Sequence, residues 1–324
     1  MARRDSDWAF PVEMRPRPEE WRFDLETALD AVVQLRSEIP GDAFTAPLLG
    51  TERGGNGIVI RDGLVLTIGY LITEASTIWL TTNKGTVTGA FPIAYDQATG
   101  FGLVQPLGKL GVAPLERGSA GSVRVGENVV MAGYGGRAHS LKAAVFAKRE
   151  FAGYWEYVLD EALFTAPAHP QWGGAALIGA EGRLLGIGSL LVQEKVDAGT
   201  LQGNMIVPID LLDPVLDDML KLGRPNRPPR AWLGMYTTEA KYKLVVAGLA
   251  PGGPAERAGV RVGDTVVDVA GRKPASLAAL FRSIWALGDA GSLVPLRLAR
   301  GNSTLELKIV SANRADFLKK PHLH

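Results

Sequence analysis

Residues 55–67 read GNGIVIRDGLVLT. Two short apolar runs, Ile58-Val59-Ile60 and Leu64-Val65-Leu66, flank Asp62-Gly63, a pair that suits a tight reversal between strands. The same grammar returns at Glu181-Gly182, between Ala-Leu-Ile and Leu-Leu-Gly-Ile. Further short apolar runs are STIWLTT (76–82), FGLVQPL (101–107), ENVVMAGYG (127–135) and GRLLGIGSLLVQ (182–193). The chain holds 39 glycines in short clusters, about 12% where about 7% is usual. Many short strands divided by such turns predict an antiparallel barrel or sandwich.

Outward from this region the chain divides by composition. Residues 1–24 form a charged, proline-containing extension carrying Trp8, Phe10, Trp21 and Phe23. Residues 25–222 hold the strand-rich region. It closes on a helical patch, IDLLDPVLDDMLKL (209–222), in which Pro214 reads as an early interruption. GRPNRPPR (223–230) has the proline and arginine content of a linker. Residues 231–314 are enough for one small domain. Within them KLVVAGL, DTVVDVAG, VPLRLAR and TLELKIV read as strands. SLAALFRSIWAL (276–287) reads as a helix, with Leu277, Leu280, Phe281, Ile284 and Leu287 on one face. Residues 315–324 read as a frayed tail.

Composition excludes several chemistries. Thirty-five Lys and Arg against 34 Asp and Glu leave a net charge of +1, so no basic surplus points to nucleic acid or anionic membrane. Cysteine is absent, which removes disulfides, thiol nucleophiles and zinc–thiolate sites. The four histidines are His139, His169, His322 and His324, and their spacing supports no metal site beyond the tail pair. No phosphate-binding glycine loop is present, so no cofactor is expected. No apolar run reaches the roughly 18 residues of a membrane span. Charged residues and prolines follow Arg3-Arg4 where a signal's apolar stretch would begin, so the expected compartment is the cytoplasm, with the periplasm as the alternative if the start is trimmed.

The C-terminal block resembles a PDZ domain in three pieces. WLGM (232–235) looks like a carboxylate-binding loop leading into a strand. APGGPAERAGVRVGDTVVDVAGR (250–272) is similar to the family's turn, short helix and strand. The 276–287 helix lies where the second wall of a peptide groove is expected. The resemblance implies that an extended peptide adds to the strand after the loop, its terminal carboxylate held by backbone N–H groups. Trp232, Leu233, Gly234 and Met235 would form the loop, and Met235, Leu280 and Ile284 the pocket wall.

A strand-rich region followed by a PDZ-like domain resembles the HtrA/Deg serine proteases over about residues 28–314. This implies a mainly β fold: a trypsin-like pair of six-stranded antiparallel barrels, then a small α+β PDZ domain. The local matches are GNGIVIRDGLVLT (55–67), YDQATGFGLVQ (95–105) and PAHPQWGGAALIGAEGRLLGIG (167–188). In the family they carry the general base, the orienting carboxylate and the nucleophile. Here those positions read Tyr70, Gly100 and Trp172. An indole has no nucleophilic oxygen, a phenol with a pKa near 10 is a poor proton acceptor, and glycine has no side chain. Since loss of the nucleophile alone costs about a millionfold, the residues predict no enzymatic activity and a binding role as adaptor, scaffold or regulator. The alternative is an endopeptidase with a relocated site. Its candidates are His169, three residues before Trp172, and the His139-Ser140 pair, with Ser189 and Thr165 as lining.

The partners implied are protein or peptide C-termini in the PDZ groove, and beyond them active protease relatives or misfolded chains. The resemblance also implies a homo-trimer built through the aromatic N-terminal segment. Neither nucleic acid nor a membrane span is expected.

Overall fold

The computed structural model describes residues 8–196 and 199–319. After a short helix α1 (Leu25–Asp30) come β1 (Val32–Glu38), α2 (Ala46–Leu49), β2 (Glu52–Arg61), β3 (Leu64–Ile68), β4 (Thr77–Thr81), β5 (Val87–Tyr95) and β6 (Phe101–Pro106). These six strands close into an antiparallel barrel in the order β1-β2-β3-β6-β5-β4. The β2–β3 reversal falls at Asp62-Gly63, with Gly63 in the left-handed region that such a turn requires. Leu35, Ile58, Leu66, Leu80 and Phe101 fill the interior and are fully buried. Each such side chain contributes about 1.5–3 kcal/mol by leaving water.

The second barrel repeats the plan. It contains β7 (Asn128–Ala132), β8 (Ser140–Gly153), β9 (Tyr157–Ala166), β10 (Ala176–Ile178), β11 (Leu184–Val196) and β12 (Gly199–Pro208), closed in the order β10-β11-β12-β9-β8-β7. Val129, Met131, Leu141, Val145, Leu163, Leu177 and Ile206 form its core, and Phe10 from the N-terminal segment is buried among them. The described part of that segment is irregular apart from two short 3-10 turns, Val12–Met14 and Pro18–Glu20. The Phe10 N–H donates to the Ala138 carbonyl at 2.9 Å.

Helix α3 (Asp213–Leu222) follows. Pro214 does not interrupt it: the residue lies in its first turn, where a missing N–H costs no hydrogen bond. The last sheet is five-stranded and runs β13 (Met235–Ala240), β14 (Lys243–Leu249), β15 (Thr265–Val269), β16 (Leu293–Arg300) and β17 (Ser303–Val310) in that order, with α4 (Pro254–Arg257) and α5 (Leu277–Trp285). Ser276 caps α5 by accepting the Ala279 N–H at 3.1 Å. Leu277, Ala278, Leu280, Phe281 and Ile284 bury the helix's apolar face against Val246, Val266, Leu296 and Leu298.

The chain forms two compact units. One holds the described residues up to Arg149, residues 161–226 and Lys319. The other holds residues 150–160 and 227–318, so the tip of the β8–β9 hairpin belongs with the C-terminal sheet. The expected frayed tail is anchored where it is described: Phe317 packs edge-on against Trp232 at 4.8 Å, and the Lys319 N–H donates to Glu74 at 2.6 Å. Residues 320–324, with His322 and His324, lie outside the described residues. Among the described residues no helix is long and apolar enough to cross a membrane.

Candidate cleft and peptide groove

The first site lies where the two barrels meet. Tyr70 sits in the 3-10 turn Gly69–Leu71 that ends β3, and Trp172 sits in the turn between β9 and β10. The structure brings them together. The Tyr70 hydroxyl donates to the Ser189 carbonyl at 2.9 Å and takes a hydrogen bond from the Trp172 side chain. Burial pushes the phenol well above its usual pKa, against that bond, so it stays protonated and serves as a donor. A Cβ on Gly173 would come within 2.8 Å of the Tyr70 hydroxyl, so the glycine at 173 makes room for the phenol. Gly100 adjoins by its backbone: its carbonyl accepts the Gly69 N–H at 2.6 Å.

His169, His139 and Ser140 are each engaged by backbone groups. His169 is fully buried. Its Nε2 bonds the His139 carbonyl at 2.8 Å and its Nδ1 accepts the Gln171 N–H at 3.0 Å. That pairing requires the Nε2–H tautomer. Burial, outweighing the His139 carbonyl, lowers the ring's pKa to about 4. His139 bonds Gly135 and Ser140 bonds Gly136, each through its side chain, so the two do not face each other. Thr165 and Ser189 are both buried. Ser189 lies at the irregularity in the β11–β12 register, a place where a strand re-aims a side chain.

Asn56 organises this cleft and carried no sequence signal beyond its glycine neighbours. Its side-chain amide donates to the carbonyls of Gln171 (2.9 Å) and Gly173 (3.1 Å), and its side-chain oxygen accepts the Tyr134 N–H at 2.8 Å. Its carbonyl accepts the Thr67 hydroxyl at 2.7 Å. One buried amide thus ties β2 to two loops of the second barrel.

The second site is in the C-terminal unit. Gly234 adopts a φ of 69°, and this left-handed step lets successive N–H groups converge. They converge on Glu156, from the hairpin tip. The Leu233 N–H bonds both carboxyl oxygens (3.2 and 3.1 Å), and the Met235 N–H bonds one at 3.0 Å. The Gly234 N–H adds a third donor. Two residues on, the Thr237 N–H donates to the Tyr154 carbonyl at 3.1 Å. Leu233, Met235, Leu280 and Ile284 are all at most 1% exposed, in a cluster that includes Val158 of the hairpin. Trp232 lies apart from this contact, paired by backbone with Ala312 and packed on Phe317. Glu156 was invisible in the sequence because it is 77 residues from Leu233.

Comparison with known proteins matches both units. Residues 55–187 fit the model of a trypsin-like peptidase domain, and residues 231–310 fit that of a PDZ domain. The chain is 24% identical over 271 residues, 79% of its length, to a probable periplasmic serine endoprotease DegP-like of Chlamydia trachomatis. It is 22% identical over 260 residues to the serine endoprotease DegS of Haemophilus influenzae, covering 79% of this chain and 76% of that one. The chain spans about half the length of the DegP-like relatives that it matches, 53% in the Chlamydia trachomatis case. Among solved structures, the HtrA-type protease AlgW with decapeptide superposes with a TM-score of 0.52 at 18% identity, covering 93% of this chain and all of that one. A serine endoprotease from Yersinia pestis gives 0.51 at 19% identity, with 90% and 98% covered.

Two expectations are corrected by these relatives. The reading of the chain as no enzyme does not stand, because the proteins that match it over four fifths of its length are named serine endoproteases. Substitution at three positions was too narrow a ground. The cytoplasmic assignment does not stand either: relatives of the DegP type are named periplasmic, and the opening residues were a poor guide to compartment.

Proposed function

We infer that this chain, an HtrA-type protein with a trypsin-like peptidase domain and a PDZ domain, captures the free C-termini of protein chains in the groove between β13 and α5. It does so as a component of periplasmic protein quality control, and the activity to test on the captured chain is peptide-bond hydrolysis. The observation that carries the reading is the convergence of the Leu233, Gly234 and Met235 N–H groups on a single carboxylate. A loop that binds one carboxylate through backbone donors, beside a strand whose next free N–H takes a carbonyl, has the donors that a terminal peptide needs. Met235, Leu280 and Ile284 supply an apolar wall for its last side chain.

Hydrolysis is supported by the names of the relatives. In this chain it needs a hydroxyl other than at position 172, since an indole cannot attack a carbonyl. Ser189 is the buried hydroxyl residue whose carbonyl holds Tyr70, and it is the first candidate. Labelling the full chain with a fluorophosphonate, followed by peptide mapping, tests this. Modification at Ser189, lost in Ser189→Ala together with casein cleavage, is the expected result. Cleavage that persists in Ser189→Ala rules that residue out. Peptide capture is tested separately, by anisotropy of a fluorescein-labelled decapeptide ending in a free valine.

A further inference from the structure

The groove is already filled, and by the chain itself. Met235 and Thr237, alternate residues of β13, donate outward to Glu156 and Tyr154 in that order. Rising residue number on β13 meets falling number on the hairpin turn, so the turn meets the edge of β13 in an antiparallel sense, through one backbone bond at Tyr154 and the side-chain carboxyl of Glu156. At the loop end a peptide would present its terminal carboxylate, and there the side-chain carboxyl of Glu156 takes the same three N–H groups. The hairpin also joins the apolar core here: Val158 is buried in the cluster that holds Leu280, Phe281 and Ile284, and Ala152 packs against that cluster.

Three features make this a built contact. Glu156 has a φ of 63°, a left-handed conformation costly for a non-glycine residue, and this bend turns its side chain into the loop. Arg282 of α5, on the opposite wall, bonds both strands of the hairpin: Glu150 on one and, at 2.5 Å, Asp160 on the other. Tyr154 stacks edge-on against Tyr236 of β13 at 6.0 Å.

We propose that the β8–β9 hairpin tip is an internal ligand of the PDZ groove, in which Glu156 stands in for a peptide's C-terminal carboxylate and must be displaced before a protein C-terminus binds. The proposal rests on the groove being the peptide site. The ligand that competes is a free C-terminal carboxylate behind an apolar last side chain. Its apparent affinity is lowered by the fraction of molecules with the hairpin docked, so an open form of about one tenth weakens binding about tenfold.

The test uses the full chain and a fluorescein-labelled decapeptide ending in a free valine, beside the same peptide with a C-terminal amide. Glu156→Ala is expected to bind the free-acid peptide at least about tenfold more tightly than wild type, and to bind the free acid more tightly than the amide. Equal affinity of the two proteins for the free acid overturns the internal ligand while leaving the groove in place. Failure of both proteins to bind the free acid removes the groove reading, and the internal ligand with it. Hydrogen exchange on the unaltered chain gives a measurement that does not depend on the variant folding. Saturating free-acid peptide is expected to strip protection from the amides of residues 150–160, and hairpin amides that stay protected with peptide bound overturn the proposal.

Discussion

The hydroxyl of Tyr70 donates to the carbonyl of Ser189 at 2.9 Å, joining the end of β3 in the first barrel to β11 in the second. Removing that hydroxyl in Tyr70→Phe keeps the ring and deletes this bond together with the one that the hydroxyl takes from the Trp172 side chain. The expected loss is about 1–2 kcal/mol, because a buried carbonyl is left without its donor. Urea unfolding at pH 7 measures it, and unchanged stability would show that the bond contributes little.

Asn56 makes more bonds than Tyr70, so its loss weighs more. Asn56→Ala removes donors to Gln171 and Gly173 and the acceptor of Tyr134 N–H from a residue 1% exposed. A loss of about 2–4 kcal/mol is expected. Asn56→Asp keeps the size and the acceptor but loses the donors. Stability no better than that of the alanine variant is expected, by the same denaturant measurement.

His169 gives a pH signature. Its folded pKa is lowered to about 4, chiefly by burial, against about 6.5 when unfolded. A base whose folded pKa is depressed contributes stability that is present above its unfolded pKa and lost as pH falls. Between pH 6.5 and 4 the wild type should therefore lose about 3 kcal/mol through this ring. Comparing wild type with His169→Gln across that window isolates the contribution, and parallel curves would refute it. Nitrogen-15 spectra of the imidazole should show the Nε2–H tautomer at pH 7.

Glu156 titrates with the opposite consequence. Burial, outweighing three backbone N–H donors and Arg314, raises its pKa to about 7; Tyr154 and Tyr236 pack at this contact, and Arg282 pairs with Glu150 and Asp160 along the same hairpin. A carboxyl group raised in the docked state favours docking fully below its ordinary value of 4.5. That advantage is lost as pH rises through about 7. Free-acid peptide should bind more tightly at pH 8 than at pH 6, and the difference should vanish in Glu156→Gln.

Glu74 anchors a segment remote in sequence. Burial raises its pKa, but N–H donors from Lys319, Thr45 and Phe44 and the Thr45 hydroxyl more than offset this and leave it low. Its contribution is present above pH 4.5 and falls away as the carboxylate is protonated below that. Glu74→Gln should lower the melting temperature at pH 7 and narrow the gap from wild type at pH 3.5. An equal gap at both pH values would contradict a charge-dependent anchor.

The strands around Asp62-Gly63, a helix within 276–287 and the strands of the C-terminal block were legible because each is set locally, by alternation, helical spacing and turn residues. Local pattern misjudged Pro214, since the same proline that breaks a helix interior is at home in its first turn. It also misjudged the tail, whose anchor, Glu74, is more than two hundred residues away in sequence. The cleft positions Tyr70, Gly100 and Trp172 were picked out by motif. That Tyr70 and Trp172 share a hydrogen bond, and that Asn56 ties the loops around them, depends on two barrels meeting.

The amino-acid sequence by itself determined the elements and their kind: which runs become strands, where the chain turns and which helix face is buried, because neighbours within a few residues carry that information. Only the tertiary structure decided which carboxylate the N–H groups of Leu233 and Met235 hold. Glu156 looks like any solvated hairpin glutamate until folding sets it against Leu233 and Met235, 77 and 79 residues further on. Such a contact arises from the closure of a long loop, and spacing along the chain holds no trace of it.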